Sequence, residues 1–292
     1  MSTPPHQRLT SPGLAGSLGR LVAGGGAVSM TACITLDLEP DYGGRLAPTY
    51  TAWDADRVEG LLALLAAHGA PLTVFVVGES LSAQPRVIER LRSRGAEFHL
   101  HSFSHNLSQP DTLDEIRRGA TAFEACFGRR PEGYRAPEGR ISPAGWSRLD
   151  DEGFLFDSSV FPSFWPAARY LRFSPRPFRP EGRRLLELPI STVTPGRLIV
   201  SLSWMKLLGW EFYRRLLENA DLPEPIVFDM HLHDLWETPS FDQLRAPWRW
   251  IYRRNRGGGL RILEAFLGLL ARRGHRLTTL GAVARGLAGV PC

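Results

Sequence analysis

The chain has 292 residues, of which 43% are hydrophobic and 22% are charged. A chain of this length and composition can bury a substantial core, as an ordinary globular protein does. Its three cysteines, Cys33, Cys126 and Cys292, have no close spacing. This spacing argues against a disulfide framework and a cysteine-rich zinc site, and it agrees with a reducing compartment.

The positive charge of the chain comes almost entirely from arginine. The formal net charge is +5, and Lys206 is the single lysine. Arginine suits phosphate groups because its planar fork matches their oxygens, so the excess alone leaves an anionic membrane or a nucleic acid open as a partner. A compositional bias of the source genome explains the excess of arginine over lysine more simply. No nucleic-acid partner is expected.

Residues 1–30 differ in composition from the remainder of the chain. They are rich in Gly, Pro and Ser, and three glycines interrupt the apolar stretch 21–28. This stretch is a poor core for a signal peptide, and no run of 18 apolar residues predicts a transmembrane helix. We therefore expect a disordered leader over 1–30, one domain over 31–292 and a cytoplasmic protein.

Short apolar runs alternate with longer helical patterns along the chain. The first part shows predicted strands at 32–38, 72–77, 98–101 and 133–136 and helices at 56–68, 84–94, 112–127 and 143–152. The second part shows predicted strands at 155–157, 186–191, 226–232 and 275–280, a long loop over 161–185 and a last helix at 260–273. This alternation predicts an α/β fold of seven or eight mostly parallel strands with outer helices, in a barrel or an open sheet.

Acids and histidines follow several of these strands, and parallel α/β folds place active sites at the carboxyl ends of strands. Asp37 and Glu39 end the first strand. Positions two apart on a strand point the same way, so both carboxylates can face one site, one as a ligand and one as a base. His101 and His105 follow the third strand and can converge on one ion. Two imidazoles and one carboxylate form a three-ligand set with room for a water, which is typical of a hydrolytic metal site.

Two further segments carry candidate residues. Arg135, at the end of the fourth strand, can pair with a catalytic carboxylate and hold its orientation, while Pro137 stiffens the turn that follows. In segment 231–237, a histidine can donate a proton to a leaving amine because its pKa lies near neutral pH. His231 and His233 share a strand face there, so packing is the alternative role for one of them.

The order and spacing of these motifs resemble the polysaccharide deacetylases of the NodB-homology group, also called carbohydrate esterase family 4. The resemblance runs from about residue 34 to residue 280, and its most specific part is His101-Ser102-Phe103-Ser104-His105, which is similar to the family's H-[ST]-x-x-H motif. The other matching segments are Thr35-Leu36-Asp37-Leu38-Glu39, Arg135-Ala136-Pro137, Gly153-Phe154-Leu155-Phe156-Asp157-Ser158-Ser159, Glu187-Leu188-Pro189 and His233-Asp234. The resemblance implies a distorted (β/α) barrel, a divalent metal, usually zinc, and removal of acyl groups from N-acylated sugars.

The resemblance also implies how the first group of candidates is used. Glu39, His101 and His105 are the implied metal ligands. Asp37 is the implied general base, and Arg135 keeps it ionised and in place.

The remaining candidates are implied to handle the leaving group and the substrate. His233 is the implied proton donor to the departing amine, and Asp157 supports that histidine. Pro137, Glu138 and Trp236 are the expected substrate contacts.

The chain departs from the usual family pattern at two motifs. The first motif usually has two adjacent aspartates, whereas Leu38 stands second here. A branch with an acid one residue later exists, and Glu39 fits it, with Asp41 as the alternative acidic ligand. Glu138 occupies a position that is often tyrosine, which weakens the expectation of a long-polymer substrate.

The expected substrate is an intracellular glycoconjugate precursor, such as a lipid-linked amino sugar. Segment 247–256 interleaves aromatics with arginines; it suits a membrane interface with anionic headgroups, or a packed helix with snorkelling arginines. Three alternatives stay open. They are a catalytically silent barrel that binds carbohydrate or membrane, a basic membrane- or nucleic-acid-associated protein, and a deformylase or amidase that acts on another C–N bond.

Overall fold

The computed structural model of the chain describes residues 20–21, 30–164, 168–194 and 196–290. The expected leader therefore lies outside the described residues except for Arg20, Leu21 and Met30, and its disorder stays a prediction. Within the described ranges, no helix is both long and apolar enough to cross a bilayer.

Twelve strands occur in the described residues, most of them short. They are β1 (Arg20–Leu21), β2 (Thr31–Leu38), β3 (Leu72–Val76), β4 (Glu97–Leu100), β5 (Gly133–Tyr134), β6 (Phe156–Asp157), β7 (Phe178–Arg179), β8 (Leu186–Glu187), β9 (Thr192–Val193), β10 (Leu198–Ile199), β11 (Ile226–His231) and β12 (Arg276–Leu277).

The same ranges contain eleven α-helices and three short 3₁₀ helices. The α-helices are α1 (Ala55–Ala67), α2 (Ser80–Ala83), α3 (Pro85–Ser93), α4 (Leu113–Phe127), α5 (Pro143–Asp151), α6 (Leu202–Leu208), α7 (Trp210–Asn219), α8 (Leu232–Leu235), α9 (Trp248–Arg253), α10 (Gly259–Arg272) and α11 (Leu280–Ala288). The 3₁₀ helices are Pro137–Gly139, Ala168–Arg172 and Pro239–Gln243.

Eight of the strands run parallel in one curled sheet. Their order is β8-β6-β5-β4-β3-β2-β11, β12 pairs with the start of β2, and β7 and β1 extend the β8 edge in antiparallel fashion. The chain beyond β8 closes the ring, because the Ser191 N–H donates to the Val227 carbonyl of β11 (3.0 Å) and Ser201 bridges Asp229. The expected distorted (β/α) barrel with seven or eight mostly parallel strands is confirmed.

Strand β2 shows how the barrel wall divides its side chains. Ile34, Leu36 and Leu38 pack among apolar side chains of α1, α3, α6 and α10. Thr35 and Asp37 point the other way and contact a buried arginine. Since successive side chains on a strand alternate between its faces, the apolar residues build the outer core and the polar ones enter the barrel.

The second half of the chain differs from the sequence expectation. Helices α6, α7 and α11 were not predicted, and the expected strand 275–280 is reduced to β12. Thr279 ends that strand because its hydroxyl accepts from the Ala282 N–H (3.3 Å) and caps α11. Helices α6 and α7 have only seven and ten residues and meet at Gly209, whose φ is +96°, so neither is long enough to show a clear period.

Candidate active site

A cavity of about 290 Å³ opens at the carboxyl ends of the parallel strands. The polar side chains at its base come from three places along the chain, namely Asp37, Glu39, His101, His105, Asp229 and His231. Helices α6 and α9 supply an apolar and aromatic wall that includes Leu207, Ile251 and Tyr252. The polar groups therefore converge in one concave site, as expected for an active site at this end of the fold.

Glu39, His101 and His105 form a compact group with three possible ligand atoms. The Oε2 atom of Glu39 lies 2.5 Å from Nε2 of His105 and 3.4 Å from Nε2 of His101. All three side chains are buried, and their ligand atoms lie within 4.8 Å of one another. This is the ligand set that the sequence motifs indicate.

The chemistry of this group fits a divalent cation. The carbonyl of Arg135 lies 2.8 Å from Nδ1 of His101, so this nitrogen carries the proton and Nε2 keeps a free lone pair. The Nε2 atoms of His101 and His105 are both buried without a hydrogen-bond partner. A buried polar atom without a partner costs about 1–3 kcal/mol, and a cation that accepts both lone pairs removes this cost.

The charge of Glu39 agrees with this assignment. Burial raises the pKa of Glu39, but the nearby imidazoles of His105, His231 and His101 bring it well below its ordinary value. The carboxylate is therefore held ionised, as a metal ligand must be.

The loop that carries the two histidines is held in an unusual backbone conformation. Ser102 and His105 have φ values of +59° and +57°, which non-glycine residues adopt rarely and mostly at functional sites. The Ser102 hydroxyl accepts from the His105 N–H (3.1 Å), and the carboxylate of Glu115 in α4 accepts from the Phe103 and Ser104 amides (3.1 and 2.9 Å). Sequence reasoning missed Glu115, whose signal in the sequence is only an acid in the first turn of the predicted helix 112–127.

The loop after β2 lies directly on Glu39. Gly43 has a φ of +40°, and a Cβ atom at this position would lie 2.5 Å from Oε1 of Glu39. Glycine is required here by both the backbone and the close approach.

Asp41 does not belong to the group formed by Glu39, His101 and His105. Its carboxylate accepts hydrogen bonds from the Ala52 amide (3.0 Å), the Thr51 hydroxyl (2.5 Å) and the Ser240 hydroxyl (2.6 Å). Asp41 therefore ties two loops together, and Glu39 is the acid that faces the histidines.

Arg135 is fully buried and holds two carboxylates with one nitrogen. Its Nη1 atom donates to Asp37 Oδ1 (2.7 Å), Asp229 Oδ1 (3.0 Å) and the Thr35 hydroxyl (2.8 Å). Its Nε atom donates to the Ser158 carbonyl (3.0 Å). Asp37 is thereby fixed beside the metal group, where its Oδ2 atom is 3.9 Å from His101 Nε2.

Asp229 is a site residue that sequence reasoning missed. It lies on β11, two residues before His231, so strand alternation directs both side chains into the barrel. Burial and the nearby Asp37 raise the pKa of Asp229 to about 8, although Arg135 and His231 oppose the shift. The Asp-x-His pattern at the end of a buried strand was the signal.

The histidine that lines the cavity is His231, whereas His233 is the proton donor that the sequence predicts. The Nδ1 atom of His231 lies 3.0 Å from Asp234 Oδ2, and its Nε2 atom is 3.7 Å from Glu39 Oε1. Burial lowers the pKa of His231, but Glu39 and the hydrogen-bonded Asp234 raise it well above its ordinary value. The ring of His231 is therefore oriented by the Asp234 carboxylate, which favours its protonated form.

His233 lies behind that ring. Its Nδ1 atom accepts from the Tyr42 amide (3.2 Å), and its ring packs against the rings of Tyr42 and Tyr252 at 4.6 and 5.5 Å. Burial lowers the pKa of His233 to about 4. A neutral, enclosed imidazole suits packing, so we revise the assignment of the acid to His231.

Asp157 also lies elsewhere than expected. It accepts from the Trp146 indole (2.9 Å) and the Ser159 hydroxyl (2.5 Å), and it is fully buried beside Glu187. Burial raises the pKa of both acids, and for Glu187 the neighbouring Asp157 raises it further. Ser159 in turn accepts from the Ala136 amide (2.7 Å). Asp157 therefore supports the loop of Arg135, while Asp234 takes the expected place beside the histidine.

The three residues expected to contact the substrate lie in different places in the structure. Glu138 lines the cavity, with a φ of +50°, and forms ion pairs with Arg45 and Arg140. Pro137 is buried in the turn and is not among the residues that line the cavity. Trp236 packs in the main core and donates from its indole to the Ala52 carbonyl (3.1 Å).

Comparison with known proteins finds similar sequences for part of the chain. Residues 34–155 match the family described as polysaccharide deacetylase. The peptidoglycan deacetylase-like protein FGM2 of Gibberella zeae is 33% identical over 93 residues, which are 30% of this chain and 28% of that protein. The chain thus aligns with less than a third of the length of this curated relative.

The fold is similar to solved structures over most of the chain. A structure described as a polysaccharide deacetylase from Mycobacterium smegmatis has a TM-score of 0.60 at 18% identity and covers 92% of this chain and 93% of that chain. BA3943 of Bacillus anthracis, described as a CE4 family pseudoenzyme, has a TM-score of 0.52 at 12% identity, with 88% and 66% covered. At these identities the likeness shows a shared fold.

Residues 34–155 therefore match the polysaccharide deacetylase family, as the motifs in this part of the chain indicate. This is a family of hydrolases that act on an amide bond. Membership of the branch with an Asp-x-Glu first motif stays a prediction.

Proposed function

We propose that this chain is a metal-dependent hydrolase that removes an N-acyl group, in the simplest case acetyl, from an amino sugar. The observation that carries the proposal is the group of Glu39, His101 and His105 beside Asp37, which Arg135 holds in place. The imidazoles offer two buried lone pairs without partners, and a second carboxylate stays outside the ligand set. A metal site with a free base next to it is the minimum that amide hydrolysis by water requires.

Glu39, His101 and His105 would hold the ion, for which zinc is our proposal because nitrogen and oxygen ligands suit it. A bound divalent ion lowers the pKa of a water and polarises a carbonyl oxygen. Asp37 accepts the proton of the attacking water as general base, and the ion pair with Arg135 keeps it oriented.

The leaving amine must receive a proton before it departs. His231 lines the cavity and keeps its ring oriented through Asp234, 3.0 Å away. It therefore donates this proton as general acid. The backbone amide of Glu138, at the rim of the cavity, is the proposed donor to the oxyanion that forms on the former carbonyl.

The proposed substrate is a lipid-linked or other intracellular glycoconjugate precursor rather than a long polymer. The cavity of about 290 Å³ has the size of a small ligand. Trp248 and Tyr252 give its lining an aromatic part, which suits the apolar faces of a sugar ring. The cytoplasmic location expected from the sequence stays a prediction.

A lipid carrier also agrees with the surface around the cavity. Helices α6 and α9 line the cavity and expose Leu208 and Trp250 by 39% and 63%, and Phe212 of the adjoining α7 is 50% exposed. Aromatic side chains next to arginines are typical of proteins that rest at a membrane interface. We propose peripheral membrane contact through this face.

The decisive experiment measures release of acetate and formate from a panel of soluble and lipid-linked N-acyl amino sugars, with and without a chelator. Acetate release that chelation abolishes and zinc restores supports the proposal. Formate release alone assigns a deformylase. A protein that binds one metal ion but releases neither acid, or that binds no ion, contradicts the proposal and favours a silent barrel.

A further inference from the structure

One cation at the cavity has no counter-charge within the part of the chain that the structure describes. Arg254 lines the cavity just after α9. Arg45 is paired with Glu138, and Lys206 donates to the Asp234 carbonyl (2.7 Å). Among the described residues, no ion pair or hydrogen bond of the Arg254 side chain is found.

The turn that carries Arg254 is anchored on both sides. The side-chain amide of Asn255 donates to the Lys206 carbonyl in α6 (2.6 Å). Arg256 pairs with Glu237 (3.4 Å) and lies 4.0 Å over the ring of Phe241. The backbone is thus held in place while the Arg254 guanidinium stays available.

The lining of the cavity consequently offers two kinds of charged group. Acids and histidines form its base, whereas Arg254 stands in the α9 wall, together with the apolar Leu207 and Ile251 and the ring of Tyr252. A substrate with a neutral amide and an anionic group would find a partner for the first at the base and for the second at Arg254. A guanidinium binds phosphate oxygens with two parallel hydrogen bonds.

We propose that Arg254 forms a subsite for a phosphate group on the amino-sugar substrate. The inference rests on the proposed deacylase function and narrows its substrate class to phosphorylated sugars. A free sugar phosphate and a sugar joined to a lipid through phosphate share this chemistry, and the test below distinguishes them.

The test is calorimetric binding to the zinc-loaded full chain, so that it does not depend on turnover. The probes are N-acetylglucosamine, N-acetylglucosamine 1-phosphate and a short prenyl-phosphate ester of the same sugar. The variants are Arg254→Gln and, as the matched control, Arg253→Gln, because Arg253 is its exposed neighbour and is not among the residues that line the cavity.

We expect both phosphorylated probes to bind the wild type at least about tenfold more tightly than the neutral sugar, the gain typical of one charge-assisted contact. Arg254→Gln should remove this difference, and Arg253→Gln should keep it. If both variants bind the prenyl ester more tightly than N-acetylglucosamine 1-phosphate, the substrate has a lipid carrier. Equal binding of the two probes identifies a soluble sugar phosphate.

Equal affinity for neutral and phosphorylated sugar overturns the subsite, as does an equal loss in both variants. These results are separate from the fate of the proposed function. Acetate release from neutral sugar without any dependence on Arg254 refutes the subsite and leaves the deacetylase in place. Phosphate-dependent binding without acid release refutes the deacetylase and leaves the subsite.

Discussion

Replacement of His231 or of His233 by glutamine, in two separate variants, distinguishes the general acid from the residue that packs behind it. His231→Gln removes the imidazole that lines the cavity, while Asp234 keeps its hydrogen bond from the Ser203 hydroxyl (2.6 Å). Stability should therefore change little. Loss of a general acid lowers the rate roughly 10²- to 10⁴-fold, so we expect a fall of this size in kcat.

His233→Gln should have the opposite profile. The ring accepts from the Tyr42 amide (3.2 Å) and packs 4.6 Å from the ring of Tyr42. Its loss leaves a buried amide without its partner and opens the packing, which costs about 1–3 kcal/mol of the free energy of unfolding. The kcat value should stay close to that of the wild type, because this ring does not line the cavity.

Three measurements test the pair: acetate release at saturating substrate, metal content of the purified variants, and urea unfolding. Both variants should bind one metal ion. A large loss of kcat in His233→Gln with full activity in His231→Gln would refute our revised assignment. Parallel losses of kcat and stability in both would refute the separation of roles.

Further predictions concern the metal, the loop over it and the pH dependence of stability. His101→Ala should lose metal and activity together, whereas Asp37→Asn should keep metal and lose turnover; normal turnover of Asp37→Asn would exclude it as the base. Gly43→Ala should weaken zinc binding in a competition titration, because its Cβ would lie 2.5 Å from Glu39 Oε1; unchanged affinity would show that the loop moves freely. Burial raises the pKa of Glu97, but hydrogen bonding to the neighbouring histidine and an arginine beside it lower the pKa from 4.5 to about 2. A lowered folded-state pKa stabilises the fold above pH 4.5. The free energy of unfolding, measured with urea, should therefore fall by up to about 3 kcal/mol as the pH falls from 4.5 to 2. The fall should be smaller in Glu97→Gln.

The alternation of apolar and polar residues made the barrel and much of its site predictable. In β2, the apolar side chains face the helices, and Asp37 and Glu39 end the strand on the cavity side. His101 and His105 follow β4 at a motif spacing that indicates a metal. Such patterns are local, because strand geometry alone decides which side chains share a face.

Other site residues depend on contacts between distant parts of the chain. Arg135 holds Asp37 and also Asp229, which lie 98 and 94 residues away from it. Glu115 reaches the histidine loop from α4. No local spacing relates such residues, since only the barrel closure brings their strands and helices together.

The end of β11 decided which late histidine serves the site. On a continuous strand, Asp229, His231 and His233 would all face the barrel, because side chains two apart share a face. The strand ends at His231 and α8 begins at Leu232, so the side-chain direction changes from the two-residue period of a strand to the 3.6-residue period of a helix. His233 is turned by this change into the layer behind the cavity, and only the tertiary structure, which sets where the strand stops, determined that result.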